Sequence, residues 1–178
     1  GYQQINLIGH SLGAVKSAYF ARHAALNHLT SSAPNKLVLI SPPRLNHEAL
    51  ASDPKYGESY LQDLNAAEQA VQQRDGDRLM QIKFPQPLVL TAATFVDKYG
   101  RASTYDYLAW AHEVPSAHWI FGENEVRGSR LNFADCDRKL AAVLSGHRPH
   151  AISVIPQADH NYTLGRDALN TAIGQETA

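Results

Sequence analysis

The sequence predicts an α/β fold, a parallel sheet covered by helices, and two observations predict it. Short apolar runs at 4–8, 36–41, 117–121 and 151–155 alternate with stretches of helical spacing. The pentapeptide Gly9-His10-Ser11-Leu12-Gly13 also stands where the first such run gives way to the first helical stretch. With 178 residues, 44% apolar and 19% charged, the chain has the size and composition of one globular domain.

The elements follow in order. Gln4 to Ile8 is the first strand, ended by Gly9. Leu12 to Leu29 is helical, with Ala14, Ala18, Ala21 and Ala25 at helix spacing. Thr30 to Asn35 is a polar loop with a proline. Lys36 to Ser41 is a buried strand stopped by Pro42-Pro43. Between Pro42 and Pro115 the sequence predicts helices only, at Ser59–Arg74, Asp77–Ile82, Thr91–Lys98 and Ser103–Ala111. Strands at Ala117–Phe121 and Ala151–Ile155, ended by Gly122 and Pro156, enclose a helix from Asn132 to Leu144. The organisation expected is therefore 1–41 as one part of a core, 42–115 as a helical cap or crossover, and 116–178 as the rest of the core.

Gly-x-Ser-x-Gly between a strand and a helix is the pattern of a nucleophile elbow, a sharp turn that lifts a serine hydroxyl clear of the sheet. Both glycines are expected to be required where the turn brings backbones close. The helix that follows points its positive end at the serine, where negative charge develops in acyl transfer. On these residues the chain resembles the α/β-hydrolase superfamily, in its serine esterase, lipase and thioesterase-like branch. The resemblance implies that the four strands correspond to the fifth to eighth of that fold, with a cap inserted between the sixth and seventh. It also implies that only the C-terminal part of the fold is present. A missing N-terminal half, or self-association, is expected in its place.

A serine needs a base, and the superfamily's chain order is Ser, acid, His. Of nine histidines, His160 in Gln157-Ala158-Asp159-His160-Asn161 follows the last strand, where the superfamily keeps its catalytic histidine. His10 is expected to pack within the elbow, and His112, His118, His147 and His150 have no such position. The acid should lie beyond the third strand of this chain, in a Gly-x-x-Asp context. Gly122-Glu123-Asn124-Glu125 puts Glu125 at that place, with Glu123 and Asp135 as rivals. The N–H of Leu12, the residue after the nucleophile, is expected to be one oxyanion donor. No residue of the chain is assigned to the second.

Other chemistries have little support. A net charge of −1 gives no reason to expect nucleic acid as a partner, and no apolar run reaches the length of a membrane span. The lone Cys136 excludes an internal disulfide and points to a reducing, cytoplasmic compartment. His147-Arg148-Pro149-His150 has two histidines without a clear third ligand, so no metal is expected, and no cofactor. The expectation is hydrolysis of a small carboxylic ester by Ser11, Glu125 and His160 through an acyl-enzyme. An acyl thioesterase is the alternative within enzymes, and a non-catalytic hydrolase-like binding protein the alternative outside them.

Overall fold

The structure, a computed structural model, describes residues 5–29, 34–84, 87–147 and 149–177. Two compact units are present: residues 1–44 with 107–178, and residues 45–106.

The first unit is built on a four-stranded parallel sheet in the order β1-β2-β5-β6, flanked by helices. Its strands are β1 (Asn6–His10), β2 (Lys36–Ile40), β5 (His118–Gly122) and β6 (Ala151–Ile155). Register runs Ile8 to Val38, Val38 to His118, and His118 to Ala151. Because side chains alternate across a strand, β2 feeds both faces of the sheet. Leu37 and Leu39 join Trp119 and Phe121 on one face, packed by Ala14, Ala18 and Ala21 of α1 (Leu12–Leu26) and by Cys136 and Leu140 of α6 (Cys136–Leu144). Val38 and Ile40 join Ile120 and Ile155 on the other face, covered by Ala172 of α7 (Arg166–Thr177). Strands covered on both faces are what continuous apolar runs encode, which is why they were visible in the sequence.

The first strand's expected start at Gln4, and 30–33 of the expected polar loop, lie outside the described residues, as does Arg148. The helix expected from Asn132 begins at Cys136, because Asp135 adopts a left-handed φ of 55°. Helix α7 carries no strong apolar stripe beyond Leu169, Ala172 and Ile173, and it was not foreseen. The helix expected at Ser103–Ala111 is absent. Two 3₁₀ turns, Tyr107–Ala109 and Ala111–Glu113, replace it. Tyr107, Trp110 and Val114 are thereby buried, with the Tyr107 ring stacked 5.4 Å from Trp119.

The second unit contains α2 (His47–Ala51), α3 (Gly57–Gln72) and α4 (Ala92–Tyr99). It also holds an antiparallel hairpin, β3 (Leu79–Ile82) with β4 (Leu88–Thr91). The hairpin corrects the all-helical expectation for this interval, in which the sequence predicts a helix at Asp77–Ile82. Four residues cannot repay helix nucleation, whereas a facing apolar segment satisfies their backbone directly. Tyr60, Leu64 and Phe95 are fully buried and form the middle of the unit. No helix among the described residues is long and apolar enough to cross a membrane.

Candidate active site

The C-terminal ends of the four parallel strands converge, the place where open α/β sheets collect their ligands. Ser11 follows β1, Ser41 follows β2, Glu125 follows β5 and His160 follows β6. The strand ends are stitched in a staircase. The Ser11 N–H donates to Ile40 O at 2.9 Å, and the Ser41 N–H to Ile120 O at 2.7 Å.

Ser11 sits at φ 55°, ψ −128°, a strained turn that ends β1 and opens α1. Gly9 allows it: a Cβ there would lie 2.5 Å from Gly13 O and 2.7 Å from Ala14 Cα. The same expectation fails at Gly13, where an added Cβ would meet nothing within 4 Å. Leu12 is the first residue of α1, so its N–H is among the first-turn donors that the helix leaves without an internal acceptor.

Glu125 lies in α5 (Glu123–Val126), which starts immediately after β5. Its side chain is only 4% exposed. Oε2 accepts from the Gly122 N–H at 3.0 Å and from the Ser41 hydroxyl at 2.5 Å. Gly122 must lack a side chain, because a Cβ would stand 2.5 Å from Ala158 O on the neighbouring loop. That loop carries His160, framed by Asp159. The Asp159 carboxylate accepts from the Thr163 N–H at 2.9 Å, the Thr163 hydroxyl at 2.8 Å and the Asn161 N–H at 3.1 Å. Donors from Thr163, backbone first, hold the Asp159 carboxyl below its ordinary pKa.

His160 bridges the other two residues. Nδ1 is 2.5 Å from Glu125 Oε1, and Nε2 is 3.0 Å from Ser11 Oγ. A carboxylate only accepts, so Nδ1 carries the proton and the neutral ring presents Nε2 as an acceptor to the serine hydroxyl. That tautomer can take a proton from Ser11. His10 is exposed rather than packed inside the elbow; its Nε2–H donates to the His160 carbonyl at 2.8 Å. Phe133 flanks the His160 ring at 5.0 Å between centroids.

The rival carboxylates are elsewhere. Glu123 accepts from the Gln157 N–H at 2.9 Å. Asp135 is half exposed, 3.5 Å from Arg138 Nη1. His118 bonds Ser153 Oγ, His150 accepts from Trp119 Nε1, and the rings of His112 and His147 pair with each other. Ser41 and Tyr162 were not singled out in the sequence. Their one signal is position, just past a strand and two residues past His160. A cavity of about 310 Å³ beside His160 is lined by Asn124, Arg130, Phe133 and Asn161 among others. Another of equal size lies at the opposite, N-terminal end of the sheet, by Lys36, His118 and Ala151. Of the two, the first is lined by Glu125 and His160.

No family model matches the chain, and no curated protein matches it in sequence. Among solved structures, the chain is similar to one described as the structure of a thermophilic esterase, at 16% identity and a TM-score of 0.43. The match covers 98% of this chain and 65% of that one.

Proposed function

We propose that the protein is a serine hydrolase that cleaves carboxylic esters through an acyl-enzyme. The observation that supports this is the chain of short contacts, Ser11 Oγ to His160 Nε2 at 3.0 Å and His160 Nδ1 to Glu125 Oε1 at 2.5 Å. In this reading Ser11 Oγ attacks the ester carbonyl carbon as Nε2 takes its proton. Collapse of the tetrahedral intermediate breaks the bond to the alkoxide, which leaves with the proton from Nε2. Water then gives its proton to Nε2 as its oxygen attacks the acyl carbon; the bond from that carbon to Ser11 Oγ breaks, Nε2 returns the proton to Oγ, and the acid leaves. Glu125 holds the Nδ1–H tautomer and balances the imidazolium, and the Leu12 N–H faces the developing oxyanion.

No cofactor enters this scheme, and a small ester is its only required partner. Self-association belongs to the same proposal. Ile5 and Ile8 beside the β1 edge, and Phe20 and Leu26 on α1, are each about half exposed. An apolar surface next to an open edge favours pairing with another chain.

The test is turnover of a p-nitrophenyl ester against an acyl thioester, with labelling by a fluorophosphonate. Ester turnover with labelling at Ser11 is expected. Preference for the thioester moves the assignment to a thioesterase, and absence of both turnover and labelling moves it to a binding protein.

A further inference from the structure

Glu125 is gripped from two sides, and only one of them is His160. Oε1 faces the imidazole, while Oε2 takes the Ser41 hydroxyl and the Gly122 N–H. Ser41 Oγ lies 2.9 Å from the Tyr162 hydroxyl, which is 3.4 Å from Ile120 O. The directions of these bonds follow from counting protons. The Ser41 proton is committed to the carboxylate, so its oxygen accepts from Tyr162, whose single proton also faces the more distant Ile120 carbonyl. Burial pushes the Tyr162 phenol well above its ordinary pKa, so it keeps the proton it donates. The order is therefore Tyr162 to Ser41 to Glu125.

Packing accounts for the Tyr162 ring but not for the two hydroxyls. Ser41 is fully buried and Tyr162 nearly so, next to Val38, Ile40, Ile120 and Ile155. A buried hydroxyl among aliphatic side chains is unfavourable unless it is bonded; here the Ser41 hydroxyl is bonded to the carboxylate and the Tyr162 hydroxyl to Ser41. Both residues also have left-handed backbones, φ 47° and 53°, which glycine adopts with less strain. A carboxylate turns easily about its last side-chain torsion, which is broad and roughly two-fold. Fixing Oε2 is what leaves Oε1 aimed at Nδ1.

We infer that Ser41 and Tyr162 are positioning residues that lock the Glu125 carboxylate into the orientation its partner His160 requires. The inference rests on the proposed roles of Ser11, Glu125 and His160.

The experiment uses Ser41→Gly, which removes the hydroxyl and relieves the backbone strain, and Tyr162→Phe, which keeps the ring. Thermal melts establish that both fold. With p-nitrophenyl acetate, Ser41→Gly should lower kcat about 10- to 100-fold, the weight of one hydrogen bond to a charged group, with KM little changed. Its kcat/KM profile should move its acid limb to higher pH, because a carboxylate that has lost a donor attracts the imidazolium proton more strongly. Tyr162→Phe should show a smaller loss in the same direction. In a Glu125→Gln background, Ser41→Gly should add no further loss in the rate of fluorophosphonate labelling. Wild-type kcat and pH profile in Ser41→Gly overturn the inference, as does a loss repeated in full in the Glu125→Gln background. Ser11→Ala separates the two levels: if it is inactive while Ser41→Gly is fully active, only the positioning role falls. If Ser11→Ala stays active, the catalytic assignment falls and the positioning role with it.

Discussion

The Glu123 carboxylate accepts the backbone N–H of Gln157 at 2.9 Å, which ties the segment after β5 to the loop that carries His160. Gln157 itself has a left-handed φ of 56°. At the next position, the Asn124 side chain donates to the Gln157 carbonyl at 2.9 Å. The run Glu123-Asn124-Glu125 thus divides its work, two residues fixing a neighbouring loop and the third meeting the imidazole.

This division separates the carboxylates by experiment. Glu125→Gln is expected to lower kcat by orders of magnitude with little change in KM, as loss of the group that holds the tautomer does. Glu123→Gln should be mild, since an amide oxygen still accepts from Gln157, and Asp135→Asn milder still. Steady-state kinetics on the three variants decide it. A severe Asp135→Asn with a mild Glu125→Gln would overturn the assignment of the acid.

Replacing Ser11 by Ala should abolish acyl-enzyme formation while the thermal melt stays close to wild type. A fluorophosphonate should attach to Ser11 alone, as read by peptide mass spectrometry. Attachment at another serine would defeat the proposed mechanism.

The two glycines of the elbow should respond in opposite ways. Gly9→Ala drives a methyl group into the Gly13 and Ala14 backbone, which cannot yield, and should prevent folding or inactivate the protein. Gly13→Ala meets open space inside a helix and should leave stability unchanged or raise it by up to about 1 kcal/mol. Urea midpoints for the pair are the measurement, and equal destabilisation would refute the steric argument.

Acid sensitivity has a named source in Asp137. Burial, the largest single influence, raises its carboxyl pKa, but the Arg127 donors at 2.9 and 2.6 Å, the Arg138 N–H and the charges of both arginines together outweigh it and hold the carboxyl below 3.8. A carboxyl depressed in the folded state adds stability in full above its ordinary pKa. That stability is lost as pH falls from 3.8 through the folded value. Asp137→Asn should therefore be less stable at pH 6, and its urea midpoint should fall less steeply between about pH 4 and 2. Parallel curves for the two proteins would remove Asp137 as the cause.

The exposed apolar side chains around β1 lead to a prediction about mass. Sedimentation of the 178-residue chain should show association that Ile8→Lys weakens. A monomer at every concentration would contradict it.

The sheet was legible because Lys36–Ile40 and His118–Gly122 are unbroken apolar runs with sharp stops, and the fold class follows from such runs alone. Ser11, Glu125 and His160, which the structure brings within hydrogen-bonding distance, stand just past strand ends; the serine was legible from its pentapeptide, the other two only through the family resemblance that pointed to those positions. The β3–β4 hairpin was not legible, since four-residue apolar runs carry no period that separates strand from helix. Ser41 and Tyr162 were not legible for a different reason. Their meeting depends on β2 lying next to β5, a tertiary fact that no local pattern encodes.

Parallel pairing of β2 with β5 sets an order of events in time. Val38 faces His118 across about eighty positions, a less local pairing than that of His118 with Ala151, so β2 must find β5 across a long loop. In synthesis Ser11 precedes His160 by 149 residues. On the proposed mechanism the serine is without its base until His160 has been made and docked, so hydrolytic competence waits on closure of the sheet. Trp119, buried in this seam, offers an optical clock. After dilution from urea, labelling of Ser11 should recover with the slowest phase of tryptophan fluorescence and never ahead of it.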